Sequence, residues 1–358
     1  MCPTTQNAPK DPIPSSDSLS SIFPLNSEIC PPNQRKAKAM KTPKLALTMG
    51  DPSGIGPEVC LMLQERAREV LPSAQLVIYG DLGVLERVAD LTGLPAPDPN
   101  AVRTIDSLPG ADSVKPGQVA AACGQAAYDY VECAVDAAMH GVVDAIVTAP
   151  LSKEALRAAG ISHLGHTEML TVLTESRKTC MLQHSEEITA SFVTCHCGYA
   201  DVPRLLTRER LREVIDLTND ALVRLKQRPA RLVVLGLNPH AGEHGLFGNR
   251  EEETIILPEV EEARARGLDI SGPVPPDTAF LPATRKATDA FICMYHDQGH
   301  IPLKALAFDS AVNVTLGLPI VRTSVDHGTA FDIAWKGKAN PGSLIAAANL
   351  ALRLLSAS

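Results

Sequence analysis

Short apolar runs alternate with longer amphipathic stretches from Lys44 to the end of the chain. Runs rich in Val, Ile, Leu and Ala between Gly, Pro or polar clusters predict buried strands, and helical periodicity predicts the segments between them. Alternation of this kind predicts an α/β protein with a mostly parallel sheet. The predicted strands are Leu45–Met49, Gln75–Tyr79, Asp144–Thr148, Cys180–Gln183, Ala190–Thr194, Arg231–Leu235, Ala290–Tyr295 and Ala311–Thr315. The predicted helices are Glu58–Val70, Leu82–Leu94, Val119–His140, Arg208–Lys226, Glu251–Arg266 and Gly342–Leu355.

The first 42 residues have a different pattern. They are rich in Pro, Ser, Asn and Lys and lack apolar periodicity. Such a segment cannot bury enough apolar surface to offset the entropy lost on ordering. We therefore expect residues 1–42 to be a disordered tail, and the remaining length is sufficient for two domains.

Composition and charge narrow the class of protein. The net charge is −8 over 358 residues and no block is rich in Lys and Arg, which argues against nucleic acid as a partner. No apolar run approaches the roughly 18 residues that span a bilayer, and the start of the chain lacks the pattern of a signal peptide. Nine cysteines without C-x-x-C spacing are typical of reduced thiols. We therefore expect a cytoplasmic protein without a membrane partner.

Three histidines in the second half of the chain are candidate metal ligands. They lie in T-C-H196-C, N-P-H240-A-G-E and Y-H296-D-Q-G. Imidazole is the commonest metal ligand, and three such ligands leave a divalent ion with open positions for a substrate. Their irregular spacing equally fits histidines that are merely hydrogen-bonded in turns. Cys195 and Cys197 flank His196, but on a strand they point away from it and are better read as packing residues.

Two glycine-containing loops are candidate anion sites. Gly50–Pro57 reads G-D-P-S-G-I-G-P, which permits close backbone approach to a ligand at a helix start but is not the G-x-G-x-x-G of a Rossmann fold. A tight strand-to-helix turn is the alternative. Gly165–Glu168 sets His166 beside Thr167 at a helix start, which suits a phosphate or carboxylate. A simple helix cap at Thr167 is the alternative there.

Lys304, Asn313 and Arg322 lie among apolar and Gly-rich segments near the end of the chain. Arg can grip a carboxylate or phosphate with two parallel hydrogen bonds. A single Lys or Arg is usually a solvated surface charge, but these neighbours favour a buried anion site.

Six of these segments together resemble the 4-hydroxythreonine-4-phosphate dehydrogenase family of vitamin B6 biosynthesis, and the resemblance covers residues 44–358. The segments are G-D-P-S-G-I-G-P-E, G-H-T-E, N-P-H-A-G-E, Y-H-D-Q-G through Lys304, N-V-T-L-G-L-P and R-T-S-V-D-H-G-T-A. The resemblance implies a fold like that of isocitrate and isopropylmalate dehydrogenases, with two α/β domains around a central cleft in a homodimer. We expect residues 43–150 plus 320–358 to form the first domain and residues 151–319, with the metal and substrate loops, the second.

The resemblance also implies a site and a reaction. The metal ligands it implies are His196, His240 and His296, shared across the dimer interface, and the substrate-binding residues are His166, Thr167, Lys304, Asn313 and Arg322. Asp297 and Lys304 are the candidate catalytic residues. The cofactors implied are NAD or NADP and one divalent ion per site (Zn, Co or Mg). The implied reaction oxidises the C3 hydroxyl of 4-phosphooxy-L-threonine, a small phosphorylated amino-hydroxy acid, and then releases carbon dioxide to give 3-amino-2-oxopropyl phosphate.

Two departures from the common family pattern bear on the substrate. His300 and Ile301 follow D-Q-G, and T-C-H-C-G-Y surrounds His196. This variation resembles relatives that act on 4-phospho-threonate or erythronate and, more remotely, an aromatic dihydrodiol dehydrogenase. A non-catalytic metal- or anion-binding protein on the same scaffold is the alternative from another class.

Overall fold

Eleven strands form a single sheet in the computed structural model, which describes residues 42–163, 165–307 and 310–356. In chain order, β1 to β11 are Lys44–Thr48, Gln75–Gly80, Val102–Thr104, Ala145–Thr148, Cys180–His184, Thr189–Phe192, Arg231–Leu235, Asp269–Val274, Ala290–Cys293, Val312–Leu316 and Val321–Val325. Their order across the sheet is β3-β2-β1-β4-β11-β10-β5-β6-β9-β7-β8. The pairs β11–β10, β10–β5 and β5–β6 are antiparallel, and the other pairs of the described strands are parallel. The predicted α/β class with a mostly parallel sheet is confirmed.

Twelve α-helices of the described residues connect and cover these strands. In chain order, α1 to α12 are Gly56–Val70, Leu82–Thr92, Ala121–Met139, Lys153–Ala158, His166–Leu173, Val202–Leu205, Arg208–Lys226, Leu257–Ala265, Pro276–Ala279, Pro282–Ala287, His296–Ala307 and Gly342–Ser356. None of them is both long and apolar enough to cross a membrane.

Each predicted strand overlaps an observed one, and the helix Arg208–Lys226 has the ends that the sequence predicts. The segment predicted as a helix, Glu251–Arg266, is helical up to Ala265, but it is not a regular α-helix throughout. Glu252–Ile256 forms a π-helical turn, and α8 starts after it with Pro258 in its first turn. Because proline lacks the N–H and its ring crowds the preceding turn, the regular hydrogen-bond ladder is interrupted before it.

The segment from Tyr295 to Lys304, for which the sequence predicted no helix, is largely the helix α11. Val321–Val325, for which the sequence predicted no strand, is the buried strand β11. Both segments contain residues that break the usual pattern: Pro302 lies inside α11, and β11 carries a buried arginine.

Residues from Thr42 onward form one compact unit, and the predicted tail lies outside the described residues. A large apolar core of the described residues runs beneath the sheet from β1 to α12. The division into domains of residues 43–150 plus 320–358 and 151–319 stays a prediction.

Close backbone packing fixes two elements that lead to the candidate site. Gly50, after β1, has φ +72, and a Cβ there would lie 2.2 Å from the carbonyl oxygen of Pro150, after β4. The neighbouring Asp51 N–H donates to that same oxygen at 2.9 Å. In α11, a Cβ on Gly299 would lie 2.7 Å from the ring of Phe192. Glycine therefore lets the loop after β1 and the helix α11 approach the sheet closely.

Candidate active site

A cavity of about 270 Å³ lies against β5, β10 and β11, the strands in the middle of the sheet that pair in antiparallel fashion. Its floor is a row of polar residues, because the register pairs Asn313 on β10 with Gln183 on β5 and with Ser324 on β11. Directly paired residues present their side chains on the same face of a sheet. The other lining residues used below are Lys153, His166, Thr167, Glu168, His196, His296, His300, Lys304, Arg322 and Asp326.

Arg322 lies on the same face of the sheet as this floor, two residues before Ser324 on β11, with only 1% of its surface exposed. It donates to the hydroxyl oxygens of Thr148 at 2.7 Å and Thr315 at 3.0 Å, and to Asn313 Oδ1 at 3.4 Å. Its Nε has no partner, and no carboxylate forms an ion pair with it among the described residues. Burial therefore lowers the pKa of Arg322 to about 9, opposed only by the field of Glu168. A buried cation without a counter-ion is a ready site for an anionic ligand.

Helix α11 brings three lining residues onto one face, because His296, His300 and Lys304 are spaced by four positions. The rings of His296 and His300 are stacked, with centroids 3.8 Å apart and planes 7° from parallel. His300 is buried, and desolvation, followed by the neighbouring His296, lowers its pKa to about 4. His300 is therefore neutral at physiological pH, and Lys304 lines the same cavity one helical turn further on.

His196 and His296 come together because they follow β6 and β9, which are parallel neighbours. Their ring centroids are 5.9 Å apart. In each ring Nδ1 donates to a carboxylate: His196 to Glu168 Oε1 at 3.1 Å and His296 to Asp297 Oδ1 at 2.7 Å. A neutral imidazole held in this way keeps its lone pair on Nε2, as in the carboxylate–histidine–metal arrangement.

His240 is not among the residues that line this cavity. It lies in the turn Pro239–Gly245, in which residues 240–244 all have positive φ. The buried carboxylate of Glu252 anchors this turn by accepting from the backbone N–H of Leu237 and Asn238 at 2.9 and 2.8 Å. Within the described part of a single chain no group of three His, Cys, Asp or Glu is close enough to hold a metal. The three-histidine site therefore stays a prediction that needs a second chain.

The segment around His166 and Thr167 begins α5, and both side chains line the cavity. The helix cap is Gly165, without a side-chain hydrogen bond, so the alternative of a simple cap at Thr167 is wrong. Burial lowers the pKa of His166 well below its usual value, and Arg322 and Lys153 lower it further. Its Nε2 is buried without a partner among the described residues, so a neutral imidazole is left with one nitrogen for a ligand.

Asp297 lies behind His296 and does not line the cavity. It accepts a second hydrogen bond from the hydroxyl of Tyr199, and the bonds from Tyr199 and His296 lower the pKa of Asp297. The geometry favours an orienting role for this carboxylate, and its catalytic role stays a prediction.

Lys153, Glu168, Gln183 and Asp326 also line the cavity, and sequence reasoning gave none of them a role. Asp326 follows β11, and its Oδ2 lies 4.0 Å from Lys304 Nζ. Burial raises the pKa of Asp326, while Lys304 and a hydrogen bond from Gln183 lower it. The only sequence signal for Glu168 and Asp326 was their place within G-H-T-E and S-V-D-H-G.

The fold and cavity thus define an α/β protein with a partly buried cavity that is lined by three cations, beside two histidines whose Nε2 atoms suit a metal. The family model of the pyridoxal phosphate biosynthetic protein PdxA matches residues 72–351. A D-threonate 4-phosphate dehydrogenase from Pectobacterium atrosepticum is 43% identical over 324 residues, covering 87% of this chain and 98% of that protein. A 4-hydroxythreonine-4-phosphate dehydrogenase from Desulforapulum autotrophicum is 42% identical over 323 residues, covering 86% of this chain and 94% of that protein.

The crystal structure of 4-hydroxythreonine-4-phosphate dehydrogenase from Klebsiella pneumoniae is similar in fold, with a TM-score of 0.75 and 39% identity. The similarity covers 87% of this chain and 99% of that one. This chain belongs to the PdxA family of pyridoxal phosphate biosynthetic proteins. It is a dehydrogenase of that family, an oxidoreductase acting on a CH–OH group.

Proposed function

We propose that this chain oxidises the C3 hydroxyl of a four-carbon acid 4-phosphate, with NAD or NADP as hydride acceptor, and that the resulting 3-oxo acid loses carbon dioxide. The observation that carries the proposal is the buried guanidinium of Arg322, which faces the cavity without a carboxylate partner in the described residues. Such a group favours a ligand that brings its own negative charge.

The charges around the cavity match an acid phosphate. Three lining cations, Lys153, Lys304 and Arg322, face a ligand whose phosphate and carboxylate carry about three negative charges at neutral pH. Of the lining carboxylates, Glu168 already accepts from His196, and Asp326 lies beside Lys304. The cationic side chains neutralise both ends of the substrate and hold its C3 near the histidine pair.

The substituent at C2 distinguishes the two candidate substrates, 4-phosphooxy-L-threonine with an ammonium group and D-threonate 4-phosphate with a hydroxyl. An ammonium group needs a carboxylate partner. Asp326 accepts from Gln183 and lies beside Lys304, whereas Glu168 accepts from His196 through Oε1 and has a buried Oε2 without a partner among the described residues. The departure at His300 puts a neutral imidazole in the cavity wall. Although the sequence motifs favoured 4-phosphooxy-L-threonine, the neutral His300 and the similarity to D-threonate 4-phosphate dehydrogenases favour D-threonate 4-phosphate.

The donors present suit a divalent metal. His196 and His296 each offer Nε2 and are held by a carboxylate at Nδ1, and we propose His240 of a second chain as the third ligand. All-imidazole ligation favours zinc or cobalt over magnesium. When bound, the ion supplies Lewis acidity toward the C3 hydroxyl and the carbonyl formed from it. Lys304, at the end of the same helix face, is the candidate to move the hydroxyl proton.

The test is an absorbance assay for NADH or NADPH with each substrate, each dinucleotide and Co²⁺, Zn²⁺ or Mg²⁺, alongside measurement of released carbon dioxide. We expect turnover with D-threonate 4-phosphate at least tenfold higher in kcat/KM than with 4-phosphooxy-L-threonine, which corresponds to about 1.4 kcal/mol. The reverse preference would contradict the C2 argument alone. Absence of reduced dinucleotide with both substrates would leave the binding-protein alternative.

Sharing of the site between chains is tested by mixing two inactive variants. In a mixed dimer of His240→Ala with His196→Ala, one site combines His196 and His296 of one chain with His240 of the other. Random exchange should restore about a quarter of the wild-type activity. If the mixture stays inactive while exchange is verified, the ligand set does not cross an interface.

A further inference from the structure

Gln183 lies on β5 at the floor of the cavity, with 1% of its surface exposed. It is the point at which three separate segments meet. Its side-chain amide contacts His300 on α11, 117 residues away, and Asp326 after β11, 143 residues away. Neither the oxidation nor the anion recognition described above assigns this residue a role.

The hydrogen bonds around the amide have one consistent assignment. His300 Nδ1 lies 3.0 Å from the carbonyl oxygen of His296, which can only accept, so Nδ1 carries the hydrogen and Nε2 accepts. Gln183 Nε2 lies 2.7 Å from Asp326 Oδ1 and 3.3 Å from His300 Nε2. Its two hydrogens therefore serve these two acceptors, and a 4.0 Å contact with Met181 Sδ is weak.

Each acceptor in turn touches a group that the proposed reaction uses. His300 stacks on the ring of His296 at 3.8 Å. Asp326 presents its other oxygen 4.0 Å from Lys304 Nζ. One amide thus supports both the candidate metal ligand and the candidate proton-transfer lysine, and its rigidity comes from a strand in the middle of the sheet.

We propose that Gln183 is a positioning residue that holds His300 against His296 and Asp326 against Lys304, so that metal binding and proton transfer depend on a single side chain. This inference rests on the proposed roles of His296 and Lys304. Loss of the amide frees both neighbours at once. Loss of either neighbour removes only one of the two supports.

The test compares three variants with two measurements, Co²⁺ affinity of the metal-free protein and kcat/KM with the better acid phosphate. Gln183→Met keeps the volume and removes the donors. We expect it to weaken Co²⁺ binding about tenfold, as for other groups that support metal-bound histidines. We also expect kcat to fall by about tenfold, because Lys304 is then less well positioned for proton transfer. His300→Leu should weaken Co²⁺ binding, and Asp326→Ala should lower kcat without changing Co²⁺ affinity. The KM for the dinucleotide should stay unchanged throughout.

Gln125→Met is the matched control, because Gln125 also donates to a carboxylate, Asp129 at 2.8 Å, but on the exposed surface. It should change neither measurement. If Gln183→Met does not fold, Gln183→Asn retracts the same amide by one methylene and should show the same two losses. A wild type that binds Co²⁺ and turns over, with a folded Gln183 variant unchanged in both, would overturn this inference. A wild type that does neither would overturn the proposed function instead.

Discussion

Replacing Arg322 with Met should weaken substrate binding without lowering the stability of the ligand-free protein. This pattern is unusual for a buried side chain. Arg322 is buried and donates to Thr148, Thr315 and Asn313, yet no carboxylate of the described residues pairs with it. Most truncations of buried side chains destabilise a protein by several kcal/mol. Here the removed group is a charge that the ligand-free protein holds without compensation.

The magnitude follows from the pKa. Burial lowers the pKa of Arg322 from 12.5 to about 9, which corresponds to roughly 5 kcal/mol of unfavourable free energy for the charged form. The three hydrogen bonds offset about 1 kcal/mol each. The Met variant should therefore be about as stable as the ligand-free wild type. The loss of a buried ion pair with the substrate should cost about 3–5 kcal/mol of binding, roughly a 10²–10⁴-fold rise in KM.

The sign of the pH dependence follows too. The folded protein releases the proton of Arg322 at lower pH than the unfolded chain, so the unfolded chain binds more protons above about pH 9. The free energy of unfolding should therefore gain a rising contribution with pH above that value. Substrate affinity should fall over the same range, because the guanidinium loses its charge.

The assay compares melting temperatures with and without substrate or inorganic phosphate, together with KM. Arg228→Met is the matched control: Arg228 grips the carboxylate of Asp289 at 2.7 Å and lies outside the cavity. The control should lose stability and keep its KM, the opposite pattern. An Arg322→Met variant that melts well below wild type with an unchanged KM would refute the reasoning.

Three further outcomes are expected. Gly299→Ala forces a Cβ to within 2.7 Å of the Phe192 ring; it should destabilise by about 1–3 kcal/mol in chemical denaturation and lower turnover, and an unchanged protein would contradict the packing of α11. His240→Ala should abolish turnover while far-UV circular dichroism and melting temperature stay those of wild type; residual activity at the wild-type level would exclude it as a ligand. Glu168→Gln should weaken Co²⁺ binding about tenfold by calorimetry, because it removes the charged acceptor of His196, and equal affinity would contradict that support.

The sequence predicted best the elements whose pattern serves packing alone. The strand Arg231–Leu235 and the helix before it were predicted to the residue, since an unbroken apolar run and a regular amphipathic period leave one interpretation. The strand Val321–Val325 and the helix His296–Ala307 were missed for the opposite reason. Arg322, Gly299 and Pro302 interrupt their patterns, and two of these residues serve the site or its close packing.

Single residues of the site could be predicted only where a motif carried them. His166, Lys304 and Arg322 lie in recognisable segments and do line one cavity. Gln183 lies in an ordinary apolar strand, and the role proposed for it depends on contacts with two residues that are more than a hundred positions away in the sequence. No local pattern encodes such a contact, because it depends on the order of β5, β10 and β11 in the sheet.

That strand order also explains why the two halves of the proposed chemistry differ. The proposed anion recognition rests partly on side chains of central strands, where Asn313 is paired on both sides and Arg322 is paired with Ile146 of β4. Metal binding rests on His196 and His296 just beyond strand ends, with His240 on a strained turn away from the cavity. Groups within rigid strands are preorganised without a ligand, whereas groups in a turn or at the first residue of a helix depend more on further contacts for their geometry. We therefore expect each chain to carry a preformed anion site and only part of the metal site, and we propose that assembly of two chains, and not folding of one, completes the catalyst.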